Sequence, residues 1–176
     1  MGNAPVEQQL FDCKQGFIDL SPARTFDETS FKKIACTMSA MANGGKSVSG
    51  YVAVGIADTA TDAQRVASLD GVTPILHRGF RVVGIEREAR LRGEPLNDYW
   101  HWVIQKLLMS GLDSSLAQGV AATSRLIPYQ GLAVGLLRVQ AGAAPTFFGR
   151  QLYERSGSDT KLVEQKDYQR IFLAFA

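Results

Sequence analysis

The stretch that most restricts how this chain can fold is residues 38–58. It runs Met38-Ser39-Ala40-Met41-Ala42-Asn43-Gly44-Gly45-Lys46-Ser47, then Val48-Ser49-Gly50-Tyr51-Val52-Ala53-Val54-Gly55-Ile56-Ala57-Asp58. Ahead of it, Phe31, Ile34, Ala35, Met38, Met41 and Ala42 recur at spacings of three and four, the period of a helix with one apolar face. Asp27 is placed to cap that helix. Asn43-Gly44-Gly45 is placed to stop it, because both residue types tolerate left-handed backbone. Residues 51–56 are almost continuously apolar, which predicts a central strand covered on both faces. Asp58 falls where that strand ends. A helix, a tight turn and a buried strand in this order call for helices layered on a sheet.

The stretch also holds Gly45-Lys46-Ser47, which looks like the end of a phosphate-binding loop. Such a loop needs a glycine five residues before Gly45, where Ala40 stands. It also needs a strand before it and a helix after it, so that the helix N-terminus faces the phosphates. Here the order is reversed, and the segment reads as a helix stop followed by a turn.

The rest of the chain follows the same class. Phe11 and Cys13 alternate with Asp12 and Lys14, which predicts a short strand with one polar face, and Glu7 lies just before it. A short helix is expected over residues 63–69 with Asp62 as its cap, a strand over 80–85, and a helix over 86–92. Asn97 or Asp98 caps a further helix whose apolar stripe is Trp100, Val103, Ile104, Leu107 and Leu108. One more turn is expected at 113–118. Residues 120–127 and 132–139 read as a hairpin about Pro128-Tyr129-Gln130-Gly131, 146–148 and 151–155 as a second strand pair, and 163–172 as a final helix. The expected fold is α+β: a mixed, largely antiparallel sheet packed with helices, in one domain spanning 1–176.

Composition narrows the function. A net charge of +2 permits an anionic partner without demanding one. No run approaches the ~18 apolar residues that span a membrane, and no basic segment followed by an apolar run opens the chain, so the expected location is cytoplasmic, with no membrane partner. Cys13 and Cys36 lack a paired spacing and read as reduced core residues. His77 and His101, the two histidines, have neither a metal spacing nor a nucleophile motif near them.

The carboxylates carry more. If the strands of Asp12 and Asp58 are neighbours, the two side chains meet at one end of the sheet, with Glu7 close by. Three carboxylates and water suit Mg²⁺ or Mn²⁺. Lys14, on the same face as Asp12, would offset charge at a phosphodiester. Acidic residues at strand ends also serve simply as caps or solvated groups. Near the C-terminus, Tyr153 and Arg155 share a strand face, a pairing that suits base stacking and phosphate contact, and Lys161 is grouped with them.

Three separated motifs then resemble one family. Glu7, Asp12, Cys13 and Lys14 are similar to the Glu…Glu-Phe-Lys opening of the Schlafen AlbA-type domain, with Asp12 in place of the second Glu and Cys13 in place of Phe. Ala40-Met41-Ala42-Asn43-Gly44-Gly45 with Gly55-Ile56-Ala57-Asp58 resembles its Ala-Phe-Ala-Asn-x-Gly-Gly…Ile-Gly-Val-x-Asp core. Tyr153-Glu154-Arg155-Ser156-Gly157-Ser158-Asp159-Thr160 resembles its closing Tyr-x-Arg-x-Gly-Ser-x-Thr. The resemblance implies an α+β nucleic-acid-binding domain, in bacteria often joined to ATPase or winged-helix modules. It also implies an insertion around residues 62–97. In animal Schlafen proteins three acidic residues of this domain cleave tRNA and rRNA, and they would fall here on Glu7, Asp12 and Asp58. Two expectations follow. One is a metal-dependent nuclease acting on RNA or single-stranded DNA in stress or phage defence. The other is a non-catalytic nucleic-acid, nucleotide or assembly module that forms homo-oligomers or engages a partner protein.

Overall fold

The computed structural model describes residues 9–176. Its architecture is α+β. Strands β1 (Phe11–Lys14), β2 (Ser49–Val54), β6 (Arg125–Tyr129) and β7 (Leu132–Gln140) form a four-stranded sheet in the order β1-β2-β7-β6. β1 and β2 are parallel, and the other pairs are antiparallel. The parallel pair follows from the connection, since α1 (Glu28–Ala42) crosses between the two strands. Asp27 caps α1, its carboxylate accepting from Ser30 N at 2.9 Å.

A second sheet, in the order β3-β5-β4, is made by β3 (Ile56–Ala57), β4 (Ile75–His77) and β5 (Phe80–Val82). Helices α2 (Ala60–Asp70) and α3 (Glu86–Arg92) flank it in sequence. Helices α4 (Leu96–Leu108) and α5 (Ser114–Thr123) precede the β6–β7 hairpin. A separate hairpin of β8 (Tyr153–Ser156) and β9 (Asp159–Leu162) leads through a 3-10 turn to α6 (Tyr168–Leu173). No described helix is long and apolar enough to cross a membrane.

The main core lies between one face of the four-stranded sheet and the helices. Ile34 and Met38 of α1, Val103 and Leu107 of α4, and Val120 of α5 meet Val52, Val54, Leu137 and Val139 there. The second sheet covers part of the opposite face, where Val82 packs on Cys13, Ala53 and Val134. Phe11 and Cys13 therefore face one way and Asp12 and Lys14 the other, as their alternation predicts.

Several boundaries differ from the sequence reading. The apolar run 51–56 is not one strand: β2 ends at Val54, and β3 turns into the other sheet. Gly55 makes the bend, with φ +99 and a position where a Cβ would lie 3.1 Å from the Gly84 carbonyl carbon. The C-cap of α1 is Asn43 in ordinary right-handed backbone, and the left-handed step comes at Gly45. Thr59, not Asp62, caps α2. Pro95 occupies the cap position of α4. Residues 120–123, read as the start of a strand, continue α5, because Leu116, Ala117 and Val120 share a buried helical face. Only isolated bridges form at Phe148, and β8 finds its partner in β9 instead. The final helix is shorter than expected.

One buried polar cluster fixes the loop after β1. The Glu88 carboxylate accepts from Phe17 N, Ile18 N and the Tyr99 hydroxyl at 2.5–3.1 Å. Arg87 beside it donates to Asp70 at 2.8 Å and to both oxygens of Gln15. Gly16 must be glycine, since a Cβ there would sit 2.0 Å from Glu88 Oε1. Both α3 residues come from the 62–97 segment, so that segment helps hold the end of the strand that carries Asp12 and Lys14.

Candidate nucleic-acid interface

The polar face of β1 opens into a crease of about 390 Å³. Its floor is Asp12 and Lys14, one wall is Lys33, Cys36 and Thr37 of α1, and the other is the β8–β9 hairpin with Tyr153, Arg155 and Thr160. Hydrogen bonds from Thr37 and Asn43 help seat the hairpin. Thr37 and Thr160 join hydroxyl to hydroxyl at 2.9 Å. Asn43 donates to the Tyr153 and Thr146 carbonyls at 2.9 and 3.0 Å and accepts from Thr146 N at 2.7 Å. Asn43 thus ends α1 and also positions the first residue of β8.

Within the crease, Lys14 lies between two carboxylates. Its Nζ donates to Asp12 Oδ1 at 3.2 Å and stands 3.8 Å from Asp58 Oδ2. Asp12 is buried, whereas the Asp58 side chain is 42% exposed. Burial pushes the Asp58 carboxyl above its ordinary value. Lys14 opposes that, while Asp12 and Asp62 add to it. Asp58 also borders a smaller adjoining cavity of about 110 Å³, which shares Lys14 with the crease.

Arg155 is 93% buried yet lines the crease. Its Nε donates to the Gln9 carbonyl at 3.3 Å and its Nη1 to Thr160 Oγ1 at 3.2 Å. Among the described residues its Nη2 has no hydrogen-bond partner. A desolvated N–H without an acceptor costs about 1–3 kcal/mol, so it favours an anionic oxygen from a ligand. The Tyr153 hydroxyl donates to Gln151 at 2.9 Å. Burial pushes the neighbouring Cys36 thiol up to about 11, which keeps it neutral and unreactive.

Four of the seven sequence-predicted residues, Asp12, Lys14, Tyr153 and Arg155, meet in this crease, and Asp58 joins them through Lys14. Lys161 does not. It pairs across the hairpin with Glu154, on the face opposite the Arg155–Thr160 pair, and donates to Ser156 at 3.3 Å. Glu7 lies outside the described residues. Among the described residues, no three His, Cys, Asp or Glu side chains form a metal-holding group. Sequence reasoning missed Thr37, Thr160 and the second role of Asn43. Lys33 was visible only as general basic surface. The Lys46-Ser47 pair plays no part in the crease; Lys46 Nζ donates to the Ala176 carbonyl at 3.0 Å.

No family model matches the chain, and no curated protein matches it. A solved structure does. The crystal structure of the DIP2311 protein from Corynebacterium diphtheriae superposes with a TM-score of 0.54 at 18% identity over 93% of this chain. This chain spans 23% of that protein's length. At this identity the likeness is one of fold, and it extends over nearly all of the elements described above.

Proposed function

We propose that this chain binds RNA or single-stranded DNA in the crease and, as a Schlafen AlbA-type domain, hydrolyses its phosphodiester bonds with Mg²⁺ or Mn²⁺. The observation that carries the reading is the meeting of Asp12, Lys14, Tyr153 and Arg155, from opposite ends of the sequence, around one cavity. Arg155 supplies an N–H for a phosphate oxygen, and Lys14 and Lys33 offset further charge. Tyr153 offers a ring for a base.

The donor chemistry suits a hard cation. Asp12 and Asp58 are two carboxylates around a single ammonium, so negative charge remains. Those two residues would hold the metal, with Glu7 as the expected third ligand. A bound ion of this kind activates water and offsets charge on the phosphodiester. The chain's own part is separate: Arg155 and Lys14 orient and neutralise the phosphate. The setting we propose is cytoplasmic, in stress or phage defence.

Incubating the purified chain with tRNA and Mn²⁺ tests this. Cleavage that is lost in Asp12→Ala supports it, and equal cleavage by that variant overturns it. A binding module without hydrolysis is the second reading, favoured by the Arg155 Nη2, which has no hydrogen-bond partner among the described residues and lies in the lining of the crease. Filter binding that persists in EDTA and falls steeply with salt, without cleavage, selects it.

A further inference from the structure

The four-stranded sheet has a second face, and the smaller sheet covers only part of it. The register defines what remains. Phe11, Tyr51 and Arg138 lie in one row across β1, β2 and β7, and Leu136 and Arg125 lie side by side in the next row across β7 and β6. Tyr51 is 36% exposed, and Arg125, Arg138 and Ile127 are exposed as well. Phe11 meets Phe80 edge-on at 6.0 Å, which marks where the smaller sheet begins.

The charge on this face has one sign. Strands β2, β4, β5, β6 and β7 contain Arg81, Arg125 and Arg138 but no aspartate or glutamate. Arg138 is held by neutral partners, donating to Ser49 at 3.3 Å and to Gln140 at 3.1 Å. Its guanidinium charge therefore keeps its reach toward an external anion. Across β1 and β2 to β6 the face measures roughly 14 Å at ~4.8 Å per strand. On RNA-binding four-stranded sheets aromatic side chains stack about two or three bases; on the uncovered part of this face Tyr51 offers one such ring.

We infer that this aromatic and basic sheet face is a second contact surface for single-stranded nucleic acid, continuous with the crease around the edge strand β1. β1 makes the continuity: it is the outermost strand, with Phe11 on the sheet face and Asp12 and Lys14 on the crease face. Tyr51 stacks a base, and Arg138 and Arg125 take phosphates. A strand held on the face reaches the crease by passing over one β-strand edge. The complementary charge favours a polynucleotide over a second copy of the chain, because two such faces apposed would bring arginines together. The inference rests on the nucleic-acid reading of the crease.

Fluorescence anisotropy with labelled oligouridylates of about 20 and about 4 nucleotides separates the two surfaces. In Arg125→Glu/Arg138→Glu the 20-mer is expected to bind at least tenfold more weakly, with its log K against log salt slope reduced by about two, and the 4-mer unchanged. Tyr51→Ala weakens the 20-mer about tenfold through lost stacking. Arg155→Lys weakens both lengths. If the double variant binds the 20-mer as well as wild type does, the sheet-face inference falls and the crease reading stands. If it weakens both lengths equally, the inference also falls. If wild type binds neither length, the nucleic-acid reading fails and takes the inference with it. If light scattering shows a dimer that Arg138→Glu dissociates without changing 20-mer affinity, the face joins copies of the chain instead.

Discussion

Two charged clusters adjoin β1, one along its polar face and one at the loop that follows it, and they are finished differently. In the cluster of Asp70, Arg87, Glu88 and Tyr99, the Glu88 carboxylate is saturated by two backbone N–H groups, a phenol and a guanidinium. In the crease, Lys14 spans two carboxylates at 3.2 and 3.8 Å, Asp58 is held above its ordinary pKa, and among the described residues one Arg155 N–H has no partner. Among the described residues Arg24 and Arg87 also leave an Nε unpartnered, but neither lines the crease. A closed network fixes a shape. An incomplete one beside a cavity has capacity left for a ligand.

The largest expected effect tests the closed cluster. Glu88→Ala leaves the Phe17 and Ile18 N–H groups and the Tyr99 hydroxyl buried without their acceptor and removes one carboxylate from beside Arg87. It should cost about 3–5 kcal/mol in chemical denaturation. A loss under 1 kcal/mol would show that the two clusters are not different in kind. Next comes Lys14→Ala, which also leaves the buried Asp12 carboxylate without its ammonium. If Lys14 offsets charge at the phosphodiester, turnover on tRNA measured well below the variant's own denaturation midpoint should fall about 10²-fold. Unchanged turnover under those conditions would make Lys14 structural.

Smaller effects sharpen the contrast. Asn43→Ala removes the clamp on Tyr153 and Thr146, so it should cost about 1–3 kcal/mol and also weaken oligonucleotide binding. A stability loss with unchanged binding would separate hairpin docking from the site. Asp58→Asn should change stability least and in the unusual direction. Because its folded pKa is raised, ionised Asp58 costs the folded state stability above that pKa; the cost fades as pH falls through the folded value and is gone below the unfolded one. The variant should therefore match or exceed wild-type Tm at neutral pH, converge with it in acid, and lose cleavage. A lower Tm at neutral pH would mean that the Lys14 contact outweighs burial. Finally, Lys46→Ala should leave oligonucleotide affinity unchanged, since Lys46 reaches only the Ala176 carbonyl.

Much of the site was legible because period two is a strong signal over short strands. It placed Asp12 with Lys14, and Tyr153 with Arg155, on the right faces. Lys161 failed for the same reason turned round. It follows the β8–β9 turn, and only the register shows which of Thr160 and Lys161 shares a face with Arg155. The 120–123 segment reads as strand from sequence because a short apolar run fits a strand or a buried helix equally well, and packing against α4 decides between them.

Sequence alone determined the α+β class, the α1 helix with its Asp27 cap, the β6–β7 hairpin, and the absence of a phosphate-loop order around Lys46. Each follows from local periodicity or turn chemistry, which acts within a few residues. Tertiary structure decided the rest. It bent the 51–56 run at Gly55, where φ is +99 and a Cβ would crowd Gly84 at 3.1 Å. It paired β8 with β9 and set that hairpin against α1. It brought Arg155 within one cavity of Asp12, over 140 positions apart. Contacts at that separation depend on how whole elements pack, and no short window of sequence encodes them.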